Sequence, residues 1–330
     1  MKHRIVSAVA AAAMLSVSAA PAAAQDAKEL ASKFDCSTVN FGLPNWTGVR
    51  VKTATATWML DQLGYKTDSK TGSLPMVYQA MKGGDIDALL AQWMPSQRSI
   101  FRKYGIEGSL DVVSPNLLGG HYTLAVPTYV YEAGVKSIAD LDEHKEKFGG
   151  QIFGIEAGSG GNDTIKSMLE DDYAGLGDWD LVASSEPGML AEVEKRVEDE
   201  EWITFLAWAP HPMNINHDFK YLAGGEDYWG PNKGEVIVNT VTPEGYAWAC
   251  PNIGQFLDNY DWTVEEQSLA MGLVNNDGME PLAAGKRVLA KHPEMLERWF
   301  GRSGIYQTGG IKDVGGEKDA LPIVRKALKQ

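Results

Sequence analysis

The sequence predicts an α/β protein built as two lobes with a ligand cleft between them. Three observations predict it. Short apolar runs alternate with stretches of helical apolar spacing through the first two-thirds of the chain, the pattern of βαβ units and mostly parallel sheets. The chain has 330 residues, too many for one small core even after an N-terminal leader is set aside. Its only two cysteines, Cys36 and Cys250, stand far apart, and a bond between them would return the last third of the chain to the first.

In order along the chain, residues 1–24 read as a secretory leader. Lys2 and Arg4 give the positive start, Ile5 to Ala20 the apolar stretch, and Ala22 to Ala24 the small-residue cleavage site. The mature protein is therefore expected to be exported and periplasmic. No later segment reaches the roughly 18–20 apolar residues of a membrane span. "DCSTVNFGL" (35–43) reads as a first strand. "TGVRVKTATATWMLDQLGY" (47–65) reads as a helix, with Val49, Ala56, Met59, Leu60 and Leu63 near helical spacing. "MVYQAMKGGDIDALLAQWM" (76–94) reads as a helix, a Gly-Gly stop and a strand over 86–92. "HYTLAVP" (121–127) is a strand. "GGQIFGIEAGSGGNDTIKSMLE" (149–170) is strand, glycine-rich turn and helix. "WDLVASS" (179–185), "PGMLAEVEKRVEDE" (187–200) and "WITFLAW" (202–208) continue as strand, helix and strand. Beyond 222 the chain is turn-rich, then a strand over 236–241, then helical over 264–278 and 281–300.

In an oxidising exported compartment an isolated cysteine pair is read as one disulfide. Closing a loop of about 214 residues is credited with roughly 5 kcal/mol in the chain-entropy model; two buried free thiols are the alternative. With the disulfide in place, residues 25–125 and 223–330 form one lobe, residues 126–222 a second, and the chain crosses between them twice. The net charge is −14, and removing Lys2 and Arg4 with the leader takes it to −16. No basic stripe offers itself to nucleic acid or to an anionic membrane.

Three tryptophans sit at predicted strand exits, where open α/β sheets bind ligands: Trp46 in "LPNWTG", Trp93 in "LAQWMP" and Trp208 in "LAWAP". Tyr122, after "GGH", is a possible fourth. Any one of them could be a core residue. Together, on two lobes that close, they suit a cage whose ring faces hold a quaternary ammonium by cation–π attraction, at about 0.5–2 kcal/mol per face. Such a cation has no N–H to donate, so ring faces serve it better than hydrogen bonds.

At these residues the chain resembles the periplasmic substrate-binding proteins of ABC transporters for quaternary ammonium compounds, the OpuAC-like glycine betaine and choline binders. The resemblance is carried by "NWTG…KTATATWMLDQLGY", "GDIDALLAQWMPS", "GGHYTLAV", "GIEAGSGGN", "SSEPGMLAEV", "FLAWAPHPMNIN…KYL" and "NDG", and the choline-binding branch looks closest. It implies the two-lobe type II periplasmic binding protein fold, with a ligand cleft and two hinge crossings. It places Trp46, Trp93, Tyr122 and Trp208 at the four cage positions. Two positions depart from the choline pattern. Gly48 stands where choline binders carry an acid for the hydroxyl, and Ser159 where they carry Asn. Loss of both anchors beside an intact cage suits a smaller ligand whose polar atom sits on the nitrogen, such as trimethylamine N-oxide. Choline remains an alternative. So does glycine betaine, its carboxylate held by backbone N–H groups near Gly48 or the turn 158–162.

Other signals add little chemistry. "GSGGN" lacks the third glycine of a dinucleotide loop, since Asp163 stands there; a helix N-terminus facing the cleft, with Ser159 or Asn162 placed to meet a ligand oxygen, is the better reading. His211 and His217 lack a third metal ligand; His211 orders the turn or contacts the ligand from behind Trp208. No cofactor or metal is expected. The expected function is capture of a small cationic or zwitterionic methylamine by a monomer that hands it to an ABC transporter permease. An exported choline-ester-type hydrolase is the competing class, but no nucleophile and base can be assembled from spacing.

Overall fold

A computed structural model describes residues 32–105, 108–301 and 320–330; the leader at 1–24 lies outside them. No helix among the described residues is long and apolar enough to cross a membrane.

Among the described residues nine strands form one curled sheet, with β2, β1, β3, β9, β4, β7, β5 and β6 in that spatial order and β8 paired to β4. The strands are β1 (Thr38–Leu43), β2 (Lys66–Thr71), β3 (Ala88–Met94), β4 (Leu110–Pro127), β5 (Gln151–Phe153), β6 (Asp180–Val182), β7 (Thr204–Ala209), β8 (Phe219–Tyr221) and β9 (Glu235–Pro243). Parallel pairing holds at the two ends, β2–β1–β3 and β7–β5–β6. The middle is antiparallel: β9 pairs with β3 and β4, and β4 with β7 and β8. The sheet is thus mixed where βαβ alternation alone predicts mostly parallel pairing. The physical reason is the two crossings. Chain passing between two parallel halves runs as β4 one way and returns as β9, and those two segments pair with each other.

The hydrophobic interior falls into two clusters. One draws on 39–110 and 241–324, with Phe41, Tyr78, Leu89, Ile253, Phe256 and Trp299 at its centre. The other draws on 122–236, with Phe148, Ile152, Ile165, Phe205, Leu206 and Trp229. A disulfide joins Cys36 to Cys250, with Cα atoms 5.3 Å apart, and holds the two ends of the first cluster together. Helices α1 (Thr47–Gln62), α2 (Leu74–Lys82), α3 (Gly160–Glu170), α4 (Glu186–Glu198), α5 (Pro251–Asn259), α6 (Val264–Asn275), α7 (Pro281–Lys291) and α8 (Glu294–Gly301) cover these cores.

Three elements differ from the sequence expectation. The strand expected over 121–127 is the last part of an 18-residue strand, β4. The stretch before residue 121 contains Pro115, Gly119 and Gly120 and shifts register against β9 at three points, so it lacks the clean alternation that marks a strand. β2, "KTDSKT", is a polar edge strand with little buried surface, and apolar periodicity cannot reveal it. The helix expected over 281–300 is two helices, α7 and α8, parted at His292 (φ −122°, ψ 63°), because Pro293 drives the residue before it out of helical geometry.

Candidate ligand-binding site

Trp46 is the N-cap residue of α1, with extended backbone (φ −111°, ψ 137°). Trp93 and Trp208 are the next-to-last residues of β3 and β7, each followed within two residues by Pro95 or Pro210. A proline has no N–H for the ladder, so the strand ends and its last aromatic is left at the sheet's edge. Tyr122 lies in β4 directly opposite Trp208 in β7, a cross-strand pairing that sets the two rings side by side.

These four side chains line one cavity together with Gly48, Lys52, Leu90, Gln97, Glu186, Gln267 and Met271. The Tyr122 ring is central. Its centroid lies 5.6 Å from Trp93 at 57°, and 5.9 Å from Trp208 at 89°. Trp229 backs it from the core at 5.9 Å. The Tyr122 hydroxyl sits against Gly161 at the start of α3, and burial raises its pKa far above the ordinary phenol value, so the ring stays neutral and electron-rich. Trp46 packs against the first core, and its indole Nε1 donates to Glu156 Oε1 at 2.6 Å. The space left is about 40 Å3, a few times the roughly 10–15 Å3 that one water needs.

Two carboxylates stand by the rings. Glu156 takes the Trp46 bond, and burial holds its carboxyl above the usual range. Glu186, the first residue of α4, is 3% exposed. Its Oε1 accepts from Thr47 Oγ1 at 2.7 Å and meets His211 Nε2 at 3.2 Å, while its Oε2 has no hydrogen-bond partner. His211 Nδ1 accepts from the Met213 backbone N–H at 3.0 Å, so a neutral His211 carries its proton on Nε2 and donates it to Glu186. Ring faces with carboxylates beside them, Glu186 buried and Glu156 half-buried, suit a cation without donors of its own. Thr47, Glu186 and His211 also border a wider groove of about 870 Å3 on their far side.

The other expected site residues take different places. His211 does not line the cavity; it packs edge-on against Trp208 at 5.0 Å and orders the turn behind it. Ser159 caps α3, its Oγ accepting from the Asn162 N–H at 3.3 Å. The Asn162 side chain clasps Ile155, accepting from its N–H at 2.9 Å and donating to its carbonyl at 2.7 Å. Both shape the glycine-rich turn, and it is the neighbouring Gly160 that reaches the cavity. Gly48 lies on the cavity wall, and a Cβ there would come 2.5 Å from Gln267 Nε2.

Sequence reasoning missed Lys52, Glu186, Gln267 and Met271. Two of them had a readable signal: Lys52 follows Gly48 by four residues, and Met271 follows Gln267 by four, so each pair shares a helix face. Glu186 had one too, as an acid at a helix start just after a strand exit. Nothing in the sequence says that α6 packs across the mouth of α1.

The family described as the substrate-binding domain of ABC-type glycine betaine transport systems, OpuAC, matches residues 37–291. Among solved structures, a choline-binding protein of an ABC transporter in complex with choline is 38% identical, covers 89% of this chain and 98% of its own, and superposes with a TM-score of 0.83. Lactococcal OpuAC, closed on glycine betaine, is 26% identical over 80% of this chain and 99% of its own, with a TM-score of 0.72. The glycine betaine/carnitine transport binding protein GbuC of Listeria monocytogenes is 28% identical over 204 residues, 61% of this chain and 64% of that protein. An uncharacterized protein, ORF1, of Chromohalobacter salexigens is 45% identical over 129 residues, 39% of this chain and 83% of its own.

Proposed function

This chain belongs to the family of substrate-binding domains of ABC-type glycine betaine transport systems, and we propose from that premise that it captures a small methylamine in its aromatic cavity and delivers it, in the periplasm, to an ABC permease. The observation that carries the reading is the grouping of Trp46, Trp93, Tyr122 and Trp208 around one small cavity, with the Glu186 carboxylate buried beside them. Trimethylamine N-oxide is the preferred ligand. Its support is the absence of an acid at Gly48 and the small free volume. Choline and glycine betaine are the alternatives, and the similar proteins bound to them keep both in play. The moving units are residues 25–125 with 223–330, against residues 126–222. They part within β4 and between β8 and β9. The family and the similar structures named above are transport-associated binding proteins, which favours capture over a choline-ester hydrolase.

The test is a calorimetric titration of the mature protein with trimethylamine N-oxide, choline, glycine betaine and carnitine, repeated on Trp208→Ala. Tight binding of the N-oxide, weakened by at least about 1–2 kcal/mol in the variant, is expected. Tight binding of choline instead would keep the cage and reject the ligand. Equal affinity of wild type and variant would return Trp208 to a packing role.

A further inference from the structure

One wall of the cavity is polar and unaccounted for. It is built by two helices. On α1, Gly48 and Lys52 are four residues apart and face the same way. On α6, Gln267 and Met271 do the same, and all four line the cavity. Gln267 is 1% exposed. Its Oε1 has no hydrogen-bond partner, and its Nε2 has only the Met271 sulfur at 3.8 Å. Its amide lies against the Cα of Gly48, in the space a side chain at position 48 would fill. The helix start that carries it is held in place. Thr263 and Glu266 close a capping box at the start of α6, and Arg298 clamps Glu266 with bonds of 2.9 and 2.7 Å. Lys52, 1% exposed, donates to Asn116 Oδ1 at 2.7 Å. Burial, with no neighbouring charge to offset it, lowers its pKa to about 7.

A buried carboxamide with nothing to bind costs free energy, the desolvation of each unsatisfied group. A lysine beside a cage for cations costs more. Both costs turn into gains if the ligand brings an oxygen that accepts hydrogen bonds and carries negative charge. A carboxylate on this wall would repel such an oxygen; a carboxamide donates to it, and the lysine attracts it.

We propose that Gln267, with Lys52 beneath it, is the specificity-determining end of the cavity, which holds the negatively charged oxygen of a zwitterionic methylamine and so favours an N-oxide or short betaine over an amino alcohol. This rests on the methylamine-binding function above and names the ligand chemistry within it.

The test compares trimethylamine N-oxide with tetramethylammonium, which has the same methyl head and no oxygen, on wild type, Gln267→Met and Gln267→Glu, with choline as a third probe and thermal melts to confirm folding. The methionine variant keeps the volume and removes the amide. Expected is a loss of N-oxide affinity of at least about tenfold in Gln267→Met, in line with a bond to a charged group, with tetramethylammonium within threefold of wild type. In Gln267→Glu, N-oxide affinity falls further while choline and tetramethylammonium hold or gain. Equal changes for N-oxide and tetramethylammonium, or none, would overturn the assignment while leaving the cage intact. If wild type binds choline tightly and the N-oxide not at all, the assignment is wrong and the methylamine function survives. If wild type binds no methylamine, both fall.

Discussion

Gly48 is the residue at which, on the function proposed above, one missing side chain would decide the ligand. Where the resemblance implies an acid, the chain has no side chain at all, and the Gln267 amide occupies the space. Gly48→Asp is expected to restore a hydroxyl-accepting carboxylate. Its Cβ would meet Gln267 Nε2 at 2.5 Å, but that atom is the far end of a flexible side chain and can swing aside. Choline affinity is expected to rise about tenfold and N-oxide affinity to fall by a similar factor, the scale of one charge-assisted hydrogen bond. Calorimetry on the folded variant reads both, and choline affinity that stays where it was would remove position 48 from the account of specificity. At this scale the sequence is half legible. Trp93 and Trp208 can be found because both stand at strand exits closed by proline, and it is that recurrence, not either one alone, that points to a site. Gln267 cannot, since a glutamine in a polar helical stretch looks the same whether it faces water or a ligand. Ser159 and Asn162 illustrate the reverse. They sit in the right turn, yet their polar groups serve the turn's own backbone.

At the scale of elements, the site is made by where strands and helices stop. β3 and β7 stop one residue past their tryptophans, and α3 begins within contact of Tyr122 through Gly161. Gly161 has no room for a side chain: a Cβ there would collide with Tyr122 Oη and lie 2.5 Å from Leu206 Cδ2. Gly161→Ala is therefore expected to push α3 and the Tyr122 ring apart. Overpacking of this kind costs roughly 1–3 kcal/mol, seen as a lower urea midpoint, and ligand affinity should drop with it because the central ring of the cage moves. A variant with wild-type midpoint and affinity would mean that α3 has slack the packing does not show. The alternation of strands and helices along the chain correctly announces the α/β class, since each βα step carries its own hydrophobic period. It fails for β4, whose Pro115, Gly119 and Gly120 break the period, and for β2, which is too polar to have one. Those two failures share a cause. Pairing in the sheet is decided by backbone hydrogen bonds to neighbours distant in sequence, and side-chain patterning reports it only when one face is buried.

At the scale of the molecule, the two cores meet across the cavity through a small set of polar bonds. Trp46 Nε1 reaches Glu156, Thr47 Oγ1 reaches Glu186, and Asn216 and Asn276 exchange bonds at 2.8 and 3.2 Å. In a hinged binder, apparent affinity is intrinsic affinity scaled by the fraction of closed form, so bonds that exist only when the lobes are together act on binding without touching the ligand. The Asn216–Asn276 pair is the clean case. Both residues are exposed and border the wider groove, while neither lines the aromatic cavity. Asn276→Ala removes both of its bonds at a worth of about 0.5–1.5 kcal/mol each at most, and less on a wet surface. Affinity is expected to fall two- to fivefold for every ligand alike, through faster dissociation, with the preference among ligands unchanged. Small-angle scattering should show wild type contracting on saturation with ligand and the unliganded variant more open than unliganded wild type. A variant that alters the preference among ligands would place Asn276 in the site. One that leaves both affinity and scattering unchanged would mean closure is set at the aromatic cavity itself, by the Trp46–Glu156 bond above all, where capture and closure coincide.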